Sequence, residues 1–409
     1  MTASSAVEFL IWLLIAASII AMLAKRLNLP YSVSLVLGGL LLGAIRFPAV
    51  SALQQELPAH WLTPDVILIL FLPALIFEGS IRIDMRDLRR DIVPLLLLAT
   101  VGVLTATVVT GYTVHWLLGL PVLFALLFGA IISATDPISV LAIFKDLKIS
   151  KRLAVIIEAE SLLNDGTAVV LFEILLVGVL AGTLSPLRGG IQFVLAVVGG
   201  AAIGIVSGFL VSQLTARIDD AQVEITFTTI LAYGCYLLAH QLHFSGVIAT
   251  VAAGLVVGNF GAKTGMSERT RMALQTFWEY LAFVINSLVF LLIGLEVRIG
   301  VLAHSWRTIL IAISAVLFGR IISVYALIPI SNLISEVIPF RWEHVAIWGG
   351  LRGSLALAMA LSLGTPVRYR DEILTLTFGV VVFSILVQGL TIKPLVRFLN
   401  ITSKGVENK

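Results

Sequence analysis

Three carboxylates and an Asn-Asp pair lie within eight consecutive residues of a very apolar chain: Glu158, Glu160, Ser161, Asn164 and Asp165. A charged side chain at the centre of a bilayer costs at least about 2.5–3.5 kcal/mol, so such residues are rare and mark functional sites. On a helix, Ser161 and Asp165 are four residues apart and share one face. Glu160 and Asn164 share the neighbouring face. The segment therefore predicts two sets of polar side chains with separate tasks.

The first set offers oxygen ligands. With no His or Cys nearby in the sequence, Asp165 and Ser161 favour a hard cation over a transition metal. A carboxylate inside the membrane can hold either a proton or a cation, and a group that holds one or the other couples their movements. In the second set, Asn164 can hold the site together by hydrogen bonds, and Glu160 can neutralise an arginine such as Arg352.

A second motif, Thr135-Asp136-Pro137, interrupts an apolar segment. Proline lacks the N–H and disfavours helical geometry in the residue before it, so a break is predicted at Asp136. Transporters use such half-helix ends to hold ions at membrane depth. The alternative is a simple proline kink whose free carbonyl is satisfied by Thr135 or Ser133. The carboxylate favours the functional interpretation, because a kink needs no acid.

A comparable irregularity, Gly350-Leu351-Arg352-Gly353, lies in a later apolar segment. Glycines weaken a helix and let another backbone approach closely. Arg352 and Arg320 both lie deep in apolar segments, where an arginine either snorkels to the headgroups or pairs with a buried acid. Pairing is the prediction for Arg352. Two interrupted spans, one in each half of the chain, indicate a transporter with inverted repeats and a site at the midplane.

Glu78 ends the segment Phe71-Leu72-Pro73-Ala74-Leu75-Ile76-Phe77 near one end of a span. It can guard the inward mouth of a cavity. The alternative is an interfacial glutamate that pairs with Arg82.

The composition defines the elements that must position these residues. Hydrophobic residues make up 59% of the 409 and charged residues only 12%, which indicates an all-α polytopic membrane protein with no separate soluble domain. The first apolar stretch is interpreted as a retained span, not a signal peptide. The single Cys235 excludes an intrachain disulfide framework. About thirteen spans are predicted, near residues 6–24, 31–45, 63–80, 92–115, 120–147, 152–181, 189–215, 221–240, 244–259, 273–296, 303–330, 342–364 and 371–399.

Most of the 27 basic residues fall in alternate loops, for example Lys25 and Arg26, Arg86 to Arg90, and Lys393 to Lys409. The positive-inside rule therefore predicts a cytoplasmic C-terminus and an N-terminus outside. We expect the protein to lie in the plasma (inner) membrane. The net charge of +3 gives no indication of a nucleic-acid partner.

At these motifs the chain resembles the monovalent cation:proton antiporters of the NhaP and NHE type, the sodium/proton exchangers. The resemblance rests on Phe71-Leu72-Pro73-Ala74 through Phe77-Glu78, Thr135-Asp136-Pro137, Glu160-Ser161-Leu162-Leu163-Asn164-Asp165-Gly166, Gly319-Arg320 and Gly350-Leu351-Arg352-Gly353. It implies thirteen helices, a homodimer, and a core domain that moves against a dimer domain.

The resemblance also implies two inverted six-helix repeats in one transmembrane domain, residues 1–409. The implied parts are a first repeat, 1–181, with dimer-side helices in 1–80 and core helices in 92–181; a linking helix, 189–215; a second repeat, 221–399, with core helices in 303–399; and a short cytoplasmic tail, 400–409.

By the same resemblance, Asp165 is the acid that binds the ion and the proton. Asn164 stands where electrogenic relatives carry a second aspartate, which implies electroneutral exchange of one cation for one proton. The positions that complete the ion site are Asp136, the Thr135 carbonyl, Ser161 and Glu78. Glu160 with Arg352 resembles a structural ion pair, and Arg320 resembles a second, helix-stabilising or pH-related arginine.

Other functions remain open at this stage. Rings of acids also select cations in channels, and paired membrane aspartates occur in intramembrane aspartyl proteases. The acids could also serve only as hydrogen-bonding links between helices. An exchanger implies monovalent cations, protons and membrane lipid as partners, and no cofactor beyond the transported Na⁺ and H⁺. The choice among Na⁺, Li⁺ and K⁺ stays open, because all three are hard cations.

Overall fold

A computed structural model of the chain describes residues 3–27, 29–44, 67–262, 265–297, 299–364 and 367–401. Every regular element in these ranges is a helix. The helices are α1 Ala3–Leu27, α2 Tyr31–Ala44, α3 Leu72–Arg82, α4 Met85–Arg90, α5 Ile92–Leu97, α6 Val103–Leu118, α7 Val122–Ser133, α8 Ile138–Leu147, α9 Lys151–Ala181, α10 Pro186–Thr215, α11 Ala221–Gln241, α12 Gly246–Val256, α13 Glu268–Glu296, α14 Ile299–His304, α15 Trp306–Ser331, α16 Phe340–Gly349, α17 Ser354–Leu361, α18 Arg370–Phe383 and α19 Gly389–Phe398. Short π-helical segments precede α3, join α5 to α6, follow α12 and join α18 to α19.

Among the described residues, nine helical segments are long and apolar enough to cross a membrane, or ten if the bent pair α16 and α17 counts as one span. Two shorter apolar helices, Tyr31–Gly43 and Gly246–Gly261, add to these. The prediction of an all-α membrane protein is confirmed, and the predicted segments coincide with helices wherever the chain is described. The count of thirteen spans stays a prediction. Residues 45–66 and 402–409, which include parts of two predicted segments and most of the predicted tail, lie outside the described residues.

Two spans are interrupted where the sequence predicts it. The first stops after α7 and resumes with α8, so that residues 134–137 are not helical. The second bends by 42° between α16 and α17. The two breaks meet, because the backbone N–H of Asp136 donates a hydrogen bond of 2.7 Å to the carbonyl of Leu351. Each break thus satisfies part of the other's free backbone, as irregular structure at membrane depth requires.

Close packing fixes the helices on one side of these breaks. Helix α13 packs against α2 and α3. At its crossing with α2, a Cβ on Gly294 would lie 2.3 Å from the carbonyl oxygen of Val36, so only glycine permits this approach. The ring of Phe77 on α3 packs against that of Trp278 on α13, with the centroids 4.7 Å apart and the ring planes tilted by 46°. Helices α3 and α13 therefore form one tightly packed wall.

An ion pair anchors the start of α9. The Arg152 guanidinium lies 2.6 Å from the buried carboxylate of Asp91 and also donates to the carbonyls of Glu336 and Val337. These contacts join α9 to the segment just before α16. They fix the helix that carries most of the acids.

Candidate ion-binding site

Helix α9 presents its polar residues on two faces, as the sequence predicts. It runs unbroken for 31 residues and contains no proline. Ser161 and Asp165 line a cavity. Glu160 and Asn164 are buried, with 4% and 1% of their surface exposed. The 3.6-residue period of the helix accounts for this division.

The first break brings Thr135 and Asp136 against these α9 residues. The Thr135 N–H donates to Asp165 Oδ1 at 3.3 Å, and Ser161 Oγ donates to the Thr135 carbonyl at 2.6 Å. Asp136 Oδ1 accepts the N–H of Ile138 at 3.0 Å, which caps the start of α8. The break is therefore held open by side-chain partners on α9 and on its own loop, and does not close as a simple kink.

A cavity of about 110 Å³ lies beside these groups. This is well above the roughly 10–15 Å³ that one water molecule needs on such a measure. Its oxygen-bearing walls include five predicted site residues: Thr135, Asp136, Ser161, Asp165 and Glu78. The structure thus brings together residues from α3, from the first break and from α9.

Glu78 lies at the end of the cavity where Arg82 and Glu158 also line the wall. Arg82 is 3.1 Å from the carboxylate of Glu78 and 3.1 Å from that of Glu158. The pairing of Glu78 with Arg82 and the position of Glu78 at a cavity mouth are therefore both present. Arg82 is 42% exposed, so this end of the cavity reaches the protein surface.

The predicted pairing of Glu160 with Arg352 is wrong. The partner of Glu160 is Arg320 of α15, whose Nη1 and Nη2 lie 2.8 Å and 3.1 Å from the two carboxylate oxygens. Arg320 also donates to the carbonyl of Ala346 on α16, at 3.1 Å. This buried, bidentate pair joins α9, α15 and α16.

Arg352 has a different task. Its Nη1 donates to the carbonyl of Ser133 at 2.6 Å and to that of Ala134 at 3.4 Å. These carbonyls form the negative end of α7, and a cation there is stabilising. The guanidinium thus satisfies the backbone that the first break frees.

Asn164 connects the two sets of residues. Its amide nitrogen lies 3.3 Å from Thr135 Oγ1 and 3.4 Å from Glu160 Oε1. One end of this link touches the site and the other the buried ion pair. The sequence-based interpretation of Asn164 as a residue that holds the site together agrees with this geometry.

Sequence reasoning missed Asn286 of α13 and Ser354 at the start of α17, which also line the cavity. Asn286 had a usable signal, since it is a polar side chain inside the apolar stretch 281–295. The described residues contain no group of three or more His, Cys, Asp or Glu side chains placed to hold a metal ion. The oxygen atoms around this cavity suit a hard cation.

An all-helical membrane fold whose two interrupted helices cross beside a carboxylate-lined cavity defines a secondary transporter. The chain belongs to the sodium/hydrogen exchanger family, because the family's transmembrane sequence model matches residues 13–398. Membership in a transporter family decides against the protease and channel alternatives, and the protein is not an enzyme.

Curated relatives support this assignment over nearly the whole chain. The chain is 43% identical to the Na⁺/H⁺ antiporter ApNhaP of Aphanothece halophytica, over 93% of this chain and 72% of the relative. It is 40% identical to the Na⁺/H⁺ antiporter NhaH of Halobacillus dabanensis, over 96% and 97%. The solved structure of the sodium proton antiporter MjNhaP1 from Methanocaldococcus jannaschii at pH 8 has the same fold, with a TM-score of 0.80 and 21% identity over 98% of this chain and 99% of the other.

Proposed function

We propose that the protein exchanges Na⁺, or Li⁺ or K⁺, for H⁺ with one cation per proton, by alternating access around the cavity beside Asp165. One observation carries this proposal. Asp165 and Asp136 share a cavity walled by oxygen atoms, and in the described part of the chain neither carboxylate forms an ion pair. Carboxylates without a fixed counter-charge are free to hold a proton or a cation. The relatives that match this chain at 40–43% identity are named Na⁺/H⁺ antiporters.

In the proposed mechanism, Asp165 binds either the cation or the proton, and the two compete. Ser161, the Thr135 carbonyl, Asp136 and Glu78 complete the cation site. The Thr135 N–H that donates to Asp165 holds the carboxylate in place for both ligands. A cation and a proton that exclude each other at one group move in opposite directions as the site alternates between the two sides.

The neighbours of Asp165 on α9 support exchange of one cation for one proton. Asn164 is neutral and hydrogen-bonded to Glu160, so it adds no titrating group. Glu160 is already neutralised by Arg320. Asp165 and Asp136 then remain as the carboxylates of the cavity without an ion pair among the described residues, and exchange of one cation for one proton requires that Asp165 alone changes its proton load.

We further propose the arrangement that the family resemblance implies: thirteen helices in two inverted repeats, a core domain that contains the breaks, a dimer domain, and a homodimer in the plasma membrane. Helices α1 and α10 leave the largest apolar faces for lipid or a second copy, because only 17% of the most apolar stretch of each is buried within one chain. The basic loops support a cytoplasmic C-terminus and an N-terminus outside. Arg82 lies just before Arg86, Arg89 and Arg90, so the open end of the cavity then faces the cytoplasm.

The full chain in proteoliposomes tests the exchange. A pH gradient across the membrane should dissipate on addition of NaCl, and comparison with LiCl and KCl gives the order of preference. Valinomycin with K⁺ on both sides should leave the rate unchanged, because one-for-one exchange moves no net charge. A strong effect of valinomycin would contradict the stoichiometry.

The variant Asp165→Asn should lose exchange and stay folded, because the amide can still accept the hydrogen bond from Thr135. A matched control is Asp371→Asn, the same change at a side chain that is 91% exposed. The control should exchange at the wild-type rate. Exchange that survives in Asp165→Asn would remove Asp165 from the mechanism.

A further inference from the structure

We propose that Asn286, on the α13 wall of the cavity that Asp165 also lines, supplies a neutral oxygen ligand to the transported cation and thereby sets the affinity for the cation without affecting that for the proton. The inference rests on the proposed function and adds a residue that the sequence motifs do not contain. Asn286 lies on α13, which none of these motifs includes.

The position of Asn286 in the cavity is the first observation. Asn286 lines the same cavity as Asp136 and Asp165, yet comes from a different part of the fold. The break and α9 supply most of the oxygen atoms. The tightly packed wall of α3 and α13 supplies Glu78 and Asn286. Glu78 is shared with Arg82, so Asn286 is the polar group on that wall without a charged partner.

The second observation concerns the hydrogen bonding of the Asn286 side-chain amide. The Oδ1 atom of Asn286 is buried and has no hydrogen-bond partner in the described structure. Buried polar atoms are nearly always paired, so an unpaired one beside a polar cavity needs an explanation. A cation in the cavity provides it, because an amide oxygen is a hard ligand of the kind that such ions prefer.

The residue next to Asn286 shows that polar side chains on α13 do not in general lack hydrogen-bond partners. Ser287, the next residue, is hydrogen-bonded to Tyr31 of α2 and to the carbonyl of Phe283. Together with the packing of Trp278 against Phe77 and the close approach at Gly294, the hydrogen bonds of Ser287 fix the helix. The backbone of α13 therefore holds Asn286 in place in the wall of the cavity.

An amide oxygen has a specific effect on competition between the two ligands. It binds a cation, and it does not take up a proton at any physiological pH. A proton on Asp165 gains nothing from Asn286, and a cation gains a ligand. Removal of the oxygen should raise the KM for the cation by the same factor at every pH, because the proton affinity of the carboxylates is unchanged.

The test compares Asn286→Ala with wild type and with Ser287→Ala, a matched control at the adjacent buried position that does not line the cavity. The readout is the KM for Na⁺ in proteoliposomes at three pH values, with Vmax measured in parallel. Asn286→Ala should raise the KM about tenfold, the factor that corresponds to about 1.4 kcal/mol. Ser287→Ala should lower thermal stability and leave the KM unchanged. Asn286→Asp keeps an oxygen at the same place but adds a titrating carboxylate, so its KM should be low at high pH and should rise as the pH falls.

An unchanged KM in Asn286→Ala, with exchange intact, would overturn the inference and leave the proposed function standing. Absence of Na⁺-dependent exchange in the wild type would instead overturn the proposed function. If Asn286→Ala does not fold, the shorter Asn286→Ser, which withdraws the oxygen from the cavity, decides the question by the same readout. Equal increases in KM for Asn286→Ala and Ser287→Ala would also contradict the inference about Asn286, since they would indicate an effect on helix packing.

Discussion

Both interrupted spans lose helical structure for a few residues, and the two breaks differ in their chemistry. In the first, Pro137 follows an acid, and Asp136 lines the cavity. In the second, glycines flank a base, and Arg352 is buried with 4% of its surface exposed. Both breaks free backbone groups at membrane depth. They differ in what satisfies those groups and in whether a charge remains available.

That difference assigns separate tasks to the two breaks. The guanidinium of Arg352 is committed to the carbonyls at the end of α7. The carboxylate of Asp136 accepts one N–H through Oδ1 and still borders the cavity. The first break therefore exposes its charge to a ligand, and the second uses its charge to hold the first in place. Mutations at the two breaks should separate transport from stability.

The largest effect is expected from Asp136→Asn, which should reduce exchange to background. The fold should be retained, because the amide oxygen can still accept the N–H of Ile138 and cap α8. Measurement of Na⁺-driven dissipation of a pH gradient, with size-exclusion profiles as a check on folding, separates the two outcomes. Wild-type exchange in this variant would mean that the first break is structural, like the second.

A large effect on stability, not on ion chemistry, is expected at Arg320, which supports the second break through the Ala346 carbonyl. Arg320→Leu leaves the buried carboxylate of Glu160 without a charged partner, and such a loss typically costs about 3–5 kcal/mol. The free energy of unfolding in detergent measures it. The double variant Arg320→Leu with Glu160→Gln is the control and should recover much of the loss. No recovery would show that the ion pair is not the source of the stability.

A smaller effect is expected where the breaks touch. A Cβ on Gly353 would lie 2.5 Å from Asp136 Cβ, so Gly353→Ala should push the breaks apart. Overpacking of this kind costs about 1–3 kcal/mol. Exchange should fall in parallel but remain measurable. Gly190→Ala is a matched control on α10, where a Cβ meets nothing within 4 Å. Similar behaviour of the two variants would show that the breaks do not need this close contact.

Much of the site was predictable because its causes are local. Pro137 interrupts a helix whatever surrounds it, and the spacing of Ser161 and Asp165 places them on one face of any helix. The glycines around Arg352 marked the second break for the same reason. These predictions depend on one segment at a time.

Predictions about partners were less successful because partners come from distant segments. Sequence reasoning paired Glu160 with Arg352, and the structure pairs it with Arg320, 160 residues away. Two buried arginines were equally suitable by burial and charge. Only the placement of α15 beside α9 decides between them.

The sequence by itself determined the class of protein, the positions of both breaks and the two faces of α9, because hydropathy, helical period and the geometry of proline act within a segment. The tertiary structure alone decided three other features. Glu160 meets Arg320, Arg82 bridges two acids at the cavity mouth, and Asn286 lines the same cavity as the acids of the site. The physical reason is distance, since ion pairs and hydrogen bonds act over a few ångströms. Which groups come so close depends on how whole helices pack.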